Sequence, residues 1–145
     1  REFESRTHES VYRKERYQTA FSLLLIDVDQ FKQINDLSGH ITGDRVLREV
    51  TGIMSAQIRP TDVLARWGGD EFILLTECGL EQARGTATRL QNAVGDARIG
   101  ARFDLHVPVT ISVGVAEYST SDSLDELVGR ADEALYRDKA RLRRG

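Results

Sequence analysis

Four acidic residues stand in two tight groups: Asp27 and Asp29 close the apolar run of residues 21–26, and Asp70 and Glu71 follow the glycine pair Gly68 and Gly69. If the two segments pair as neighbouring strands, all four carboxylates share one edge of a sheet. Carboxylates that close repel one another unless they are protonated or bridged by a cation. Oxygen-only donors with no cysteine beside them suit Mg²⁺ or Mn²⁺ rather than Zn²⁺. Taken singly, each acid also reads as a turn former or a solvated strand end. An EF-hand loop is excluded, because its glycine and distal glutamate are missing at the required offsets from Asp27.

Positive and neutral polar groups lie around these acids in the chain. Residues 30–36 turn from a strand into a short helix, whose free N–H groups are able to bind phosphate, with Lys32 adding charge. An ordinary surface loop is the alternative. Lys139 and Arg143 are four apart and face the same way, so together they reach one triphosphate or, more simply, complement a helix dipole. His40, in the turn formed by residues 39–44, reads as a proton carrier or as a capping residue. Trp67 reads as a packed anchor rather than a stacking platform.

These residues need a scaffold, and the apolar pattern supplies one. Residues 1–19 are highly charged with sparse apolar marks at Phe3, Val11 and Tyr17, which suits an exposed helix. The run at 21–26 is too short for a helix and reads as a buried central strand. Val46, Leu47, Val50, Ile53, Met54 and Ile58 recur at helical spacing over residues 41–59, and Pro60 ends that helix. Residues 63–65 and 72–75 read as the strands of a hairpin, because a glycine pair between them is free to enter positive φ. A second amphipathic helix carries Leu80, Ala83, Ala87, Leu90 and Val94. Residues 103–107 and 109–115 read as a strand pair. Ser123 with Glu126 three residues on forms a capping box for a last helix, expected to run to about Leu142. The order predicts an α+β domain with a central, mainly antiparallel sheet flanked by helices.

Composition narrows the function classes. The chain has 145 residues, with 20 Lys+Arg against 23 Asp+Glu and a net charge of −3, which argues against a general nucleic-acid coat. Its length suits one domain over residues 1–145 with a self-sufficient core. The single cysteine, Cys78, permits no internal disulfide and fits a reducing, cytoplasmic setting. The longest apolar run, residues 23–26, is far short of a membrane span. Starting at Arg1 without an initiator methionine, the sequence reads as a piece of a longer polypeptide.

The segment Arg66-Trp67-Gly68-Gly69-Asp70-Glu71-Phe72 resembles the signature of the GGDEF family, the diguanylate cyclases. Residues 25–29 and 31–36 are similar to that family's strand and phosphate loop, Gly39, His40, Gly43 and Asp44 to its guanine-side segment, residues 110–116 to its late strand and 131–140 to its terminal helix. The resemblance covers residues 1–144. It implies a palm-like nucleotidyl cyclase fold and the condensation of two GTP into cyclic di-GMP and two pyrophosphates, by two Mg²⁺ or Mn²⁺ ions at each site of a homodimer. It further implies Asp27, Asp70 and the Val28 carbonyl as metal ligands, with Asp70 or Glu71 taking the proton. Phe31, Lys32, Gly68, Gly69, Lys139 and Arg143 then surround the phosphates, and Asn35, His40 and Asp44 the base. A buried Asp44 would accept from the guanine N1–H and amino group, and would be left unpaired by adenine. Arg59 and Asp62 resemble an inhibitory product site of the RxxD type, with Arg89 or Arg84 as a secondary contact. An upstream sensory or dimerisation domain is implied as well. Two departures stand out: the family's usual opening stretch is absent, and Leu142 and Arg144 replace a glycine and an asparagine around Arg143. The rival expectation is a non-catalytic cyclic di-GMP receptor or GTP-sensing module; a cyclase acting on another nucleotide is disfavoured by Asn35 and Asp44.

Overall fold

The computed structural model describes the backbone of residues 2–144 and the side chains of these except Glu2, Tyr17 and residues 142–144. The elements run α1 (Glu2–Tyr17), β1 (Ser22–Val28), α2 (Phe31–Ser38), α3 (His40–Gln57), β2 (Val63–Arg66), β3 (Glu71–Thr76), α4 (Leu80–Asp96), α5 (Ile99–Arg102), β4 (Ile111–Glu117) and α6 (Leu124–Arg144). The strands form one sheet in the order β2-β3-β1-β4, and every neighbouring pair is antiparallel.

The sheet is covered on both faces, which explains why β1 is buried at every position. Side chains alternate across a strand. Leu24, Ile26 and Val28 therefore join the cluster built by α3 and α4, through Val46, Leu47, Val50, Met54, Ala83, Leu90 and Val94. Phe21, Leu23 and Leu25 join the opposite cluster, with Phe3 of α1 and with Leu127, Ala131 and Leu135 of α6. Asp27 has the odd parity of Leu23 and Leu25, so it faces α6.

The local predictions on α1, β1, α3, the hairpin, α4 and α6 agree with this architecture. The capping box forms: Ser123 N–H donates to Glu126 Oε1 at 2.9 Å, and Glu126 N–H to Ser123 Oγ at 3.1 Å. Such a cap is worth about 1 kcal/mol. Two expectations are corrected. Residues 103–107 form no strand; they fold as a loop against the short α5, where Leu105 N–H donates to the Gly100 carbonyl at 2.8 Å and Asp104 takes φ 55°. The Phe103 ring lies under the Arg45 guanidinium at 4.5 Å. The late strand therefore starts at Ile111 rather than at 109 and stands at the sheet edge.

The glycine pair is the second correction. The hairpin exists, with Trp67 N–H donating to the Glu71 carbonyl at 2.9 Å, yet neither Gly68 nor Gly69 has positive φ; among the described glycines only Gly39 does. A Cβ on Gly69 would meet nothing within 4 Å, and one on Gly68 only Glu71 at 3.7 Å. The turn is closed from outside by Arg66, whose Nη2 donates to the Gly69 carbonyl at 2.5 Å and whose Nε donates to Gly68 and Gly69 at 3.2 Å. Trp67 is 48% exposed and meets Phe3 edge-on, so it anchors α1 to the hairpin without being buried.

Candidate active site

The antiparallel register sets Asp27, next to last in β1, opposite Glu71, and the Val28 N–H donates to the Asp70 carbonyl at 3.2 Å. Two strand ends thus bring Asp27, Asp70 and Glu71 to one edge, as their places in the sequence suggest. A cleft of about 360 Å³ opens there, lined by Asp27, Val28, Phe31, Lys32, Asp70 and Lys139, among others. The fourth acid turns elsewhere. Asp29 is buried, and its two oxygens accept from Thr110 Oγ1 at 2.7 Å and Ser112 Oγ at 2.6 Å, clamping the end of β1 to β4.

Asp27 is 6% exposed, and the Lys139 ammonium is ion-paired to its Oδ2. Burial raises the Asp27 pKa to about 6; Lys139 pulls it down, and the neighbouring Asp70 pushes it up again. Burial also lowers the Lys139 pKa, but Asp27, Asp70 and Glu71 outweigh it and the net shift is upward. Lys139 is where helical geometry puts it: Leu127, Ala131, Leu135 and Lys139 step by four along α6, so the lysine continues the stripe that packs on the sheet.

Asp27 Oδ1 is buried and has no hydrogen-bond partner. An orphaned anionic oxygen, opposite a second carboxylate and in an all-oxygen setting, fits a hard divalent cation. Among the described residues no three His, Cys, Asp or Glu side chains converge as a metal site. Asp27 and Asp70 would therefore need a backbone carbonyl such as that of Val28 beside them.

Phosphate-binding potential comes from α2. Gln30, in the left-handed region at φ 57°, turns the chain into the helix and supplies no side-chain cap, so the first-turn N–H groups have no intrahelical acceptor at the cleft. Lys32 is exposed beside them. The Arg143 side chain lies outside the described residues.

The residues expected to read the base occupy an adjacent corner, where α2 meets α3. Asn35 Oδ1 is buried without a partner and presses on Gly43, where a Cβ would stand 1.8 Å from it. Asp44 is exposed, not buried as expected; the N-terminal turns of α3 leave it and His40 facing solvent. Asp44 lines a separate groove with Arg48 and Arg66.

The RxxD residues form a closed turn away from the cleft. Arg59 N–H donates to Asp62 Oδ2 at 2.9 Å, the Arg59 guanidinium donates to Thr76 Oγ1 at 2.9 Å, and Asp62 Oδ1 is buried without a hydrogen bond. Arg89 donates to the Gln57 carbonyl at 3.0 Å, two residues before Arg59 in the chain. Arg84 pairs with Glu81. Sequence reasoning missed Arg66, Thr110 and Ser112 as supports of the site; the signal for Arg66 was its place immediately before the hairpin turn.

An antiparallel sheet with helices on both faces and paired acids at adjoining strand ends is the palm-like architecture of nucleotidyl cyclases. A family profile described as diguanylate cyclase, GGDEF domain, matches residues 1–144. Diguanylate cyclase DosC of Escherichia coli strain K12 is 40% identical over 126 residues, covering 86% of this chain and 27% of its own. Diguanylate cyclase DgcM of the same organism is 43% identical over 122 residues, 82% of this chain and 28% of its own. The chain thus spans about a quarter of the length of these curated relatives. Among solved structures, the GGDEF domain of DgcB from Caulobacter crescentus, in complex with c-di-GMP, superposes with a TM-score of 0.86 at 29% identity, covering 95% of this chain and 82% of that one. Diguanylate cyclase SiaD from Pseudomonas aeruginosa, in complex with its activator SiaC, gives 0.83 at 37% identity, covering 94% and 52%. This chain belongs to the diguanylate cyclase GGDEF domain family. No helix among its described residues is long and apolar enough to cross a membrane.

Proposed function

We propose that this domain condenses two GTP molecules into cyclic di-GMP with release of two pyrophosphates, each GTP held by one protomer of a homodimer. The observation that carries the reading is the pair of neighbouring carboxylates Asp27 and Asp70, one with a buried, unpartnered oxygen, in a cleft also lined by the first turn of α2, Lys32 and Lys139.

In each of two equivalent steps the 3′-hydroxyl oxygen of one GTP bonds to the α-phosphorus of the other, and the bond to pyrophosphate breaks. Two Mg²⁺ or Mn²⁺ ions held by Asp27, Asp70 and the Val28 carbonyl would supply charge neutralisation at the α-phosphate and acidification of the attacking hydroxyl. The chain's residues do the rest. Asp70 or Glu71 accepts the hydroxyl proton, the first-turn amides of α2 with Lys32 hold phosphate oxygens, and Lys139 and Arg143 bind the triphosphate. Asn35 and Asp44 read guanine, with His40 beside them. Gly68 and Gly69 need no special φ, so their bare surface serves close approach of the nucleotide to the hairpin.

Arg59 and Asp62, with Arg89 behind them, form a product site that restrains the domain from productive pairing. Arg59→Ala should relieve inhibition by added cyclic di-GMP about tenfold or more, read from an inhibition curve; an unchanged curve removes the product site. An upstream sensory or dimerising region in the full polypeptide and a cytoplasmic setting complete the proposal.

The test is incubation of the concentrated domain with GTP and Mg²⁺, chromatography for cyclic di-GMP, and calorimetry of cyclic di-GMP binding in parallel. Product that disappears in Asp70→Ala, with the unfolding curve unchanged, is the expected result. Tight product binding without turnover, even after a dimerising helix is fused to the N-terminus, would favour the receptor reading.

A further inference from the structure

β4 pairs with β1 on one side only, so the backbone groups of Ile111 and Val113 on its other side face an open edge. Two side chains from opposite layers meet on that edge. Asp138, on α6, accepts the Val113 N–H at Oδ2, 2.9 Å away, and Gln91, on α4, donates through Nε2 both to that same oxygen at 2.9 Å and to the Ile111 carbonyl at 3.1 Å. Asp138 Oδ1 accepts from Arg141 at 2.6 Å. The carboxylate thus ties three elements together.

Asp138 immediately precedes Lys139, the α6 residue that reaches Asp27. Up to Leu135 the helix is located by the apolar stripe and by Gly114, where a Cβ would stand 2.1 Å from the Ala131 carbonyl and 2.2 Å from the Leu135 nitrogen. Beyond Leu135, Asp138 grips the edge of the sheet while Lys139 turns onto its face. A one-residue difference is about 100° around a helix. Fixing Asp138 on Val113 therefore sets both the rotation and the axial position of the lysine.

We infer that Asp138, seated by Gln91, is a positioning residue that holds Lys139 in register with Asp27 and so sets the affinity of the site for the nucleotide triphosphate. This rests on the proposed reading of Lys139 as a phosphate-binding group. If Asp138 and Gln91 only covered the edge of β4, their loss would lower stability and leave nucleotide binding alone.

The experiment is a double-mutant cycle on the 145-residue domain, reading GTP binding by calorimetry, KM and kcat for product formation, and hydrogen exchange at the Val113 amide. Asp138→Ala should raise KM for GTP about tenfold with kcat little changed, as displacement of a binding group does. In a Lys139→Ala background the same change should add less than about twofold, because the two residues act as one unit. Asp138→Asn keeps an acceptor for Val113 and should recover most of the affinity; Gln91→Ala should act in the same direction as Asp138→Ala, more weakly. The inference is overturned if Asp138→Ala speeds Val113 exchange but leaves KM and binding unchanged, or if its effect is equally large without Lys139. Should Asp138→Ala fail to fold, Gln91→Ala carries the same cycle. A Lys139→Ala variant with wild-type GTP affinity would overturn the reading of Lys139 and this inference with it, whereas a weakened Lys139→Ala beside an unaffected Asp138→Ala overturns this inference alone.

Discussion

The proposed phosphate side of the site and its proposed base side are built to different standards. At the end of β1 the acids are desolvated and braced, and those at the start of β3 are half-buried: Asp27 is ion-paired to Lys139, Asp29 is clamped by two hydroxyls, and the hairpin turn is tied down by Arg66. At the α2–α3 corner, Asp44 and His40 face solvent and only Asn35 is partly enclosed. Charge that must act on a reacting phosphate gains from a fixed, low-dielectric setting, because reorganisation at the moment of reaction is then avoided. Base recognition works by hydrogen bonds completed when the ligand arrives, and tolerates an open surface until then.

That contrast is open to direct attack, and the phosphate side should break hardest. Asp70→Ala should cut turnover by roughly a thousandfold, equivalent to about 4 kcal/mol, with thermal unfolding unchanged; retained turnover would dismiss the paired-acid site. On the base side, Asp44→Ala should reduce the preference for GTP over ATP by about a hundredfold while the turnover of saturating GTP falls far less. Competition kinetics with both nucleotides reads this, and intact selectivity would place guanine recognition elsewhere. Gly43→Ala probes how far Asn35 is preset: the new methyl collides with Asn35 Oδ1, and a stability loss of about 1–3 kcal/mol should accompany a raised KM for GTP. A stable variant with normal KM would show that Asn35 is free to move.

The last test concerns protons. Because the folded Asp27 pKa is raised from 3.8 to about 6, the native state binds more protons than the unfolded chain between those values. Stability from this group is fully present below the lower value and is lost as pH rises through the higher one, by at most about 3 kcal/mol. Thermal unfolding of the wild type relative to Asp27→Asn, from pH 4 to 7 without divalent ions, should show this decline in the wild type only. Parallel curves would mean that Lys139 already offsets the burial of the charge.

How legible the molecule was depends on which forces fixed each part. The strand at 21–26 and the three long amphipathic helices follow from burial patterns that leave few alternatives, and Asp27 and Asp70 fall at strand ends as their neighbours dictate. Residues 103–107 misled because Phe103, Leu105 and Val107 alternate like a strand; the same alternation is satisfied by a loop packed on α5 with a cation over one ring. The glycine pair was legible as a turn, but its backbone reason was wrong, since neither glycine takes a positive φ. Lys139 was legible as a basic residue on a helix end, while its pairing with Asp27 needed the parity of β1 and the stripe on α6 to be combined. The exposure of Asp44 was not legible at all, since resemblance names a residue's role without its solvent contact.

Gly114 brings the backbone of α6 directly onto β4. In a survey of all substitutions, position 114 should therefore be among the least tolerant sites outside the cleft. Even alanine there would push the helix off the sheet and carry Lys139 with it, so a change that touches no nucleotide would be recorded as a loss of catalysis.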